Sequence, residues 1–422
     1  MKIMEAIATP GLTGYYFDDL EAIRHGRAKM DGFFYVGDPV TPGHKRIRQK
    51  GESISIILIL DNGEVVFGDG VSIQYSNVVG RDPIFLAAEY IPIIEKEVIP
   101  FLRGKKITTF KEMAEEVDSL ESNSRKLHTG IRYGVSQALL EAVAKMRKVT
   151  MAEVVSEEFG TTITNEPIPI LAQSGDDRYT GADKMILKGV PVIPQGLFNT
   201  IAKVGEKGEI LLEYAGWLRK RVMKYGESDY HPRFHFDVYG LIGEIFDNAP
   251  EKIADYLCRL EEVSKPFSIT VECPIDLPKK NALISSMKLL KDTLEKRKSN
   301  VWICADDWCN TLEDIKDFVN ASAAHMIQVK TPDLGGLNNT IEAAIYCKKN
   351  GVKAFVGGTC NGTDQSSRIT VHVALAVKAD LIYNKPGMAV DEGYMIVHNE
   401  MQRTLALLKN KKQKGRDLRG EI

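Results

Sequence analysis

Four apolar segments in the second half of this 422-residue chain each end on a charged side chain. They read Arg233-Phe-His-Phe-Asp237, Ser268-Ile-Thr-Val-Glu272, Val301-Trp-Ile-Cys-Ala-Asp306 and Met326-Ile-Gln-Val-Lys330. A carboxylate that closes a buried strand is costly unless its charge is compensated. Three of them at successive strand ends predict one shared compensating charge, a hard divalent cation of the Mg2+ type, which takes oxygen ligands and leaves positions for water or substrate. Desolvated and in the field of such a cation, the Lys330 amine is lowered toward neutrality and becomes a general base. That pairing suits abstraction of a proton α to a carboxylate, with the cation holding the enediolate oxygens as negative charge develops. The competing readings are three unrelated strand caps and, for Lys330, an ion-pair partner for the same carboxylates.

Positions 237, 272, 306 and 330 lie about one strand-plus-helix unit apart, so the strands run parallel and their C-terminal ends gather on one face. In a closed (β/α)8 barrel that face carries the catalytic residues, drawn from the ends of several strands. From Pro167 onward strand and helix alternate. The candidate strands are 169–174, 185–187, 233–237, 268–272, 301–306, 326–330, 353–358 and 381–384, enough to close a TIM-like barrel. The second, Met185 to Leu187, is the least regular, because the stretch from Gly189 to Ser228 must hold an excursion as well as a helix. The first part of the chain reads differently. Alternation over Ser53-Ile-Ser-Ile-Ile-Leu-Ile-Leu60, an Asp61-Asn-Gly63 turn and a return strand Glu64-Val-Val-Phe67 predict an antiparallel hairpin. Helical periodicity follows around Leu86 to Leu102 and Arg132 to Arg147. The expected division is an α+β capping domain over 1–160 and a (β/α)8 barrel over 161–422. The basic tail, Lys409 to Arg419, lacks apolar partners and reads as a solvated, frayed end.

Bulk properties narrow the function classes. The 57 acidic and 55 basic residues leave a formal charge of −2, which gives no electrostatic footprint for nucleic acid or an anionic membrane. None of the six cysteines forms a C-x-x-C pair, and they read as reduced thiols of a cytoplasmic protein. The first ten residues lack the apolar core of a signal peptide, and no apolar run approaches the ~20 residues of a membrane span. There is no Gly-rich strand-to-helix fingerprint, which excludes a Rossmann dehydrogenase.

Further motifs are more specific. Gln173-Ser-Gly-Asp-Asp-Arg-Tyr179, His235-Phe-Asp237-Val-Tyr-Gly240, Ala305-Asp306-Asp-Trp-Cys-Asn-Thr311, Gln328-Val-Lys330-Thr-Pro-Asp-Leu-Gly-Gly336, Gly357-Gly-Thr-Cys-Asn361 and Lys385-Pro-Gly-Met-Ala-Val-Asp-Glu-Gly393 are joined in the first domain by Gln74-Tyr-Ser76 and Gly80-Arg-Asp-Pro83. Together they resemble the methylaspartate ammonia-lyase family of the enolase superfamily, whose sites use a Lys or His base with Mg2+. The resemblance covers nearly the whole chain. It implies reversible elimination of ammonia from L-threo-3-methylaspartate to mesaconate, a step of glutamate degradation, with Mg2+, activating K+ and a homodimer. It places Asp237, Glu272 and Asp306 as metal ligands and Lys330 as the base on C3. Gln173, Gln328, Thr359 and Cys360 match residues that hold the substrate carboxylates or amino group, and Gln74 matches a contact from the first domain. Tyr383, near the end of the last strand, is expected to line the alkyl or amine pocket and to narrow the substrate range. One position departs: family members carry His in a Pro-His-Gly segment, a base on the opposite face, whereas this chain reads Pro194-Gln195-Gly196. An amide cannot take up that proton, so the implied specificity is for the epimer addressed by Lys330. His231 and His235 are weaker substitutes, the first preceding its strand and the second sharing Asp237's face.

Two other readings remain open on residues alone. Another enolase-superfamily enzyme, an epimerase or dehydratase, is disfavoured because Lys184 and Lys188 are not a Lys-x-Lys pair and Gly357-Gly-Thr stands where a late-strand His belongs. A non-catalytic dicarboxylate-binding relative would not need Lys330 together with all three carboxylates.

Overall fold

The computed structural model describes residues 1–24 and 28–420, with side chains described as far as 413. A three-stranded antiparallel sheet opens the chain, in which Ile3–Asp18 pairs with Arg48–Leu60 and Arg48–Leu60 with Val65–Gly70. The expected hairpin is the second pair, its turn made by Asp61-Asn-Gly63 with Gly63 at φ +84°. The long first strand carries only weak alternation, and its partner's apolar face draws it in: Ile3, Ala6 and Phe17 are buried against Ile54, Ile56 and Leu58.

Helix Thr129–Arg147 lies across this sheet at backbone distance. A Cβ on Gly134 would stand 2.4 Å from Gly70 N, and one on Gly68 would stand 2.6 Å from Ala138 N. Glycine is therefore required for the approach rather than for flexibility. The periodic stretch after Leu86 forms a continuous helical run from Ala87 to Leu102 with a π turn at Ile94–Val98, downstream of Pro92, which has no N–H to donate.

The second half is a closed, all-parallel, eight-stranded barrel wrapped by helices. In order its strands are Ile170–Gly175, Val192–Gly196, Arg233–Asp237, Ile269–Glu272, Trp302–Ala305, Met326–Val329, Lys353–Val356 and Leu381–Tyr383. The expectation for the second strand is corrected. Met185 to Leu187 is the last turn of helix Arg178–Leu187, whose Ala182, Met185 and Ile186 form one buried helical face. The strand is Val192–Gly196, hidden in the sequence by Pro194. Its ladder to the third strand covers only Val192 and Ile193, and its register against the first strand shifts before resuming at Gln195, so the missing N–H falls in a gap of both ladders.

Beneath the rim the barrel is plugged by Leu171, Val192, Cys304, Met326, Phe355 and Leu381, so it is a packed core rather than a pore. All six cysteines are free. The tail also differs from expectation. Helix Glu392–Gly420 continues through it, built from strong helix formers and tied by Lys411 Nζ to Glu153 at 3.0 Å, although residues 409–413 are exposed and the side chains of 414–419 lie outside the described residues. Among the described residues no helix is long and apolar enough to cross a membrane.

The helix-on-sheet contact gives a direct test. Gly134→Ala forces a methyl into the Gly70 backbone and is expected to destabilise by about 1–3 kcal/mol, lowering the thermal midpoint by several degrees. An unchanged melting curve would show that the helix and sheet are not in this contact.

Candidate active site

The barrel's register brings the charged ends together. Asp237 and Glu272 are direct Cα partners on neighbouring strands, Asp306 lies one residue past its strand, and Lys330 follows Val329. Each carboxylate is followed within two residues by a left-handed, non-glycine turn: Tyr239 at φ 50°, Cys273 at φ 47° and Trp308 at φ 63°. These turns carry the chain sharply away from the rim and leave the carboxylates at its edge. Opposite them, a Cβ on Gly358 would stand 2.7 Å from Lys330 Cγ, so only glycine leaves room for the lysine stem there.

A small cavity of about 60 Å3 sits above these ends. Asp237, Glu272, Asp306, Lys330, Gln195 and Gln328 line one side of it, and Thr359, Cys360, Tyr383 and Gln74 complete the wall, Gln74 coming from the capping domain. Gln173 is the exception among the residues singled out from the sequence. It stands behind Tyr383, accepting from the tyrosine hydroxyl at 2.6 Å and donating to the carbonyls of Asn384 at 3.1 Å and Gly387 at 2.6 Å. Its whole amide is committed to protein partners, so it fixes Tyr383 rather than facing the cavity.

Each carboxylate is turned to a different neighbour. Gln195 Nε2 donates to Asp237 Oδ2 at 3.0 Å, Gln328 Nε2 donates to Glu272 Oε1 at 2.8 Å, and Asp306 Oδ1 pairs with Lys330 Nζ at 2.5 Å. Glu272 Oε2 also lies 2.6 Å from His235 Nε2. That contact is a hydrogen bond rather than an ion pair, because burial and then Arg233 push the imidazole down to about 3. Burial and the charges of Glu272 and Asp306 push the Asp237 carboxyl well above its usual range, and burial followed by Asp306 does the same to Glu272. Asp306 is raised by burial against the pull of Lys330. Burial works to lower the Lys330 amine, but the adjacent Asp306 outweighs it and holds the amine above its ordinary value. The pairing alternative for Lys330 is thus observed directly.

With the side chains so placed, no three acidic, His or Cys groups among the described residues converge tightly enough to coordinate an ion. The donor set nevertheless fits a hard cation. Three desolvated carboxylates share one cavity, Asp306 raises both Asp237 and Glu272, and Gln195 Oε1 and Gln328 Oε1 are buried without a hydrogen-bond partner. Rotation of the acids from their present partners toward the cavity would relieve both conditions.

Several residues here were not singled out from the sequence. Arg81 reaches from the cap to Asp333 at 2.9 Å and Asp307 at 3.3 Å, and Arg24 from the cap binds Asp276 at 2.8 Å and the Tyr239 carbonyl at 2.8 Å. Burial opposes the charge of Asp307, but Arg81 prevails and keeps that carboxyl below its usual range. Arg81, Asp307 and the cavity-lining Tyr75 and Tyr239 lie within quoted motifs without having been singled out, while Arg24 has no pattern of its own. His231, by contrast, is exposed and away from the site.

The family model of the methylaspartate ammonia-lyase N-terminus matches residues 1–160, and that of its C-terminus matches residues 162–410. The chain belongs to the methylaspartate ammonia-lyase family. It is a carbon-nitrogen lyase acting on methylaspartate. Methylaspartate ammonia-lyase 1 of Carboxydothermus hydrogenoformans is 51% identical over 98% of each chain. A solved β-methylaspartase from Clostridium tetanomorphum, a Mg-complex, is 50% identical, with 97% of this chain and all of that one aligned at a TM-score of 0.93. The Citrobacter amalonaticus methylaspartate ammonia-lyase structure containing (2S,3S)-3-methylaspartic acid is 47% identical, with 97% and 100% coverage and a TM-score of 0.95. The L-Ala-D/L-Glu epimerase of Bacillus subtilis, 16% identical at a TM-score of 0.62, shares the fold alone.

Under the rim lies a second lysine of this methylaspartate ammonia-lyase family member. Lys385 is 1% exposed and donates to Thr331 Oγ1 at 3.3 Å and the Gly357 carbonyl at 3.4 Å, both neutral. Burial pushes its amine below the ordinary 10.5. The folded chain then binds this proton less tightly than the unfolded chain, so Lys385's contribution to stability rises with pH toward 10.5. In Lys385→Met the slope of unfolding free energy against pH, taken from urea denaturation between about pH 8 and 10, is expected to be less positive than in the parent. Equal slopes would mean that the lysine is not buried as drawn.

Proposed function

We propose that the chain eliminates ammonia reversibly from L-threo-3-methylaspartate to give mesaconate, with Lys330 as the base on C3. The observation that carries this reading is one cavity shared by Lys330, three strand-end carboxylates and neutral amide, hydroxyl and thiol groups, in a chain whose residues 1–160 and 162–410 match the family. Asp237, Glu272 and Asp306 would hold Mg2+. When bound, the cation supplies positive charge that stabilises the negative charge developing on the substrate carboxylate as the C3 proton leaves.

The chain's own groups divide the remaining work. Lys330 Nζ accepts the C3 proton, which requires that Asp306 first turn away, since their ion pair favours the ammonium. Gln328 and Gln195 each have a second amide N–H free for a substrate carboxylate, and Thr359 and Cys360 line the same cavity. Gln173 keeps Tyr383 upright at the alkyl side. The capping domain, residues 1–160, closes water out over the barrel of residues 161–422. Activation by K+, a homodimer and a cytoplasmic location belong to the same reading on resemblance to the family alone. A purely structural role for Lys330, supported by its pairing with Asp306, is the second reading.

Absorbance at the α,β-unsaturated acid band is expected to rise when protein meets threo-3-methylaspartate and Mg2+, and EDTA is expected to abolish the rise. Lys330→Ala should lower kcat by roughly 10^3. Retention of more than about a tenth of the parent rate in that variant would favour the structural reading. Gln195 bears on stereochemistry, because its amide is bound to Asp237 and takes no proton. Little elimination from the L-erythro epimer is expected, and Gln195→His should confer it. Robust turnover of that epimer by the parent, or none by the histidine variant, would sink this specificity assignment.

A further inference from the structure

Gln74 is the capping domain's amide in the cavity, and an amide's two ends are nearly identical in shape but opposite in hydrogen bonding. Which end faces a ligand is decided by what holds the other. Gln74 Nε2 donates to Asp18 Oδ2 at 2.7 Å, and Gln74 Oε1 lies 3.4 Å from the Cys360 thiol, itself on the cavity wall. Asp18 is 1% exposed and does not reach the cavity. Its orientation is over-determined. Arg48 grips it with Nε to Oδ1 at 2.8 Å and Nη2 to Oδ2 at 2.7 Å, and the guanidinium is packed against the rings of Phe33 at 4.4 Å and Tyr35 at 4.7 Å. The Asp18 backbone N–H also donates to the Gln74 backbone carbonyl at 3.0 Å. A carboxylate held in this way offers only acceptors, so the Gln74 nitrogen must face it and the Gln74 oxygen must face the cavity.

We infer that Asp18, clamped by Arg48, is a positioning residue that sets Gln74 as a hydrogen-bond acceptor for the amine of the substrate. This rests on the lyase reading above. The polarity matters most in the addition direction. There the ammonia lone pair forms the C2–N bond, the C2=C3 π pair moves to C3 and its carboxylate, and C3 takes a proton from the Lys330 ammonium. The nitrogen becomes an ammonium and Lys330 a neutral amine. An acceptor on Gln74 holds ammonia through an N–H and leaves the lone pair free to attack. The opposite amide end would donate to that lone pair and block it.

Initial rates of mesaconate amination, with ammonium chloride and mesaconate varied separately, test the relay in the full chain with Mg2+. Asp18→Asn keeps the shape but can present an N–H to Gln74, so its amide is free to reverse. The KM for ammonia is expected to rise about tenfold, the loss of one hydrogen bond, while the KM for mesaconate stays within about twofold. The double variant Asp18→Asn with Gln74→Glu inverts donor and acceptor across the pair and again shows an oxygen to the amine, so the ammonia KM should return toward the parent value. Equal changes in both KM values, no change, or a double variant worse than the single overturns the relay. If thermal melting shows that Asp18→Asn alone does not fold, the double variant decides: an ammonia KM near that of the parent supports the relay, and a tenfold rise or a second failure to fold overturns it. A parent enzyme that makes no mesaconate from threo-3-methylaspartate fails the lyase reading itself, which the single-variant comparison does not touch.

Discussion

The rim of this barrel is organised by the need to keep several carboxylates charged or chargeable where water is scarce. Asp237, Glu272 and Asp306 are each buried and each raised by that burial. Such a cluster is tolerable only when every member has a partner, and the partners observed are also the groups placed to meet a substrate: Gln195, Gln328 and Lys330. Electrostatic satisfaction and chemical readiness are therefore alternatives for the same atoms. The Asp306–Lys330 pair stabilises the site at rest, and in the proposed reaction its separation would lower the amine's pKa and so free a neutral amine.

That trade requires a second body to exclude water, and the capping domain is attached by the same kind of force. Arg24 and Arg81 leave the cap to meet Asp276, Asp307 and Asp333 on barrel loops. The Arg81 and Asp333 side chains are nearly solvent-free and Asp307 is half-buried, so separating them would strand buried charge at a cost of several kcal/mol. These pairs hold the cap seated on the rim. Gln74 shares this arrangement, since its own support, Asp18 and Arg48, lies wholly within the cap. The cap delivers a finished group rather than one completed on arrival.

How much of this was legible in the sequence follows from the range of the forces involved. Strand-end charges at Asp237, Glu272, Asp306 and Lys330 were readable because a parallel barrel converts regular spacing into proximity, and ten of the eleven residues singled out line the cavity. Gln173 escaped because the motif reports that an amide is required, not whether it faces substrate or braces Tyr383. The second strand was misplaced because Met185-Ile-Leu187 is apolar in either geometry, while the true strand contains a proline that a barrel ladder accepts only where its pairing lapses. Arg24 and Asp18 gave no signal, and Lys385 stood in a quoted motif without its role being readable, since each acquires meaning only from a residue more than fifty positions away in sequence, such as Asp276, Gln74 or Thr331.

The left-handed turns after the three carboxylates bear on how the protein can change. Tyr, Cys and Trp are poor occupants of that conformation, and each such residue costs about 1–3 kcal/mol. The surrounding barrel must over-determine the rim to hold all three, which makes it a loaded frame rather than a relaxed one. Selection for thermal robustness alone would find easy gains by unloading those turns, with glycine or asparagine at Tyr239, Cys273 or Trp308. Glycine would keep each turn while adding backbone freedom beside the carboxylate it presents, so sturdiness gained there would be traded against a looser hold on the rim.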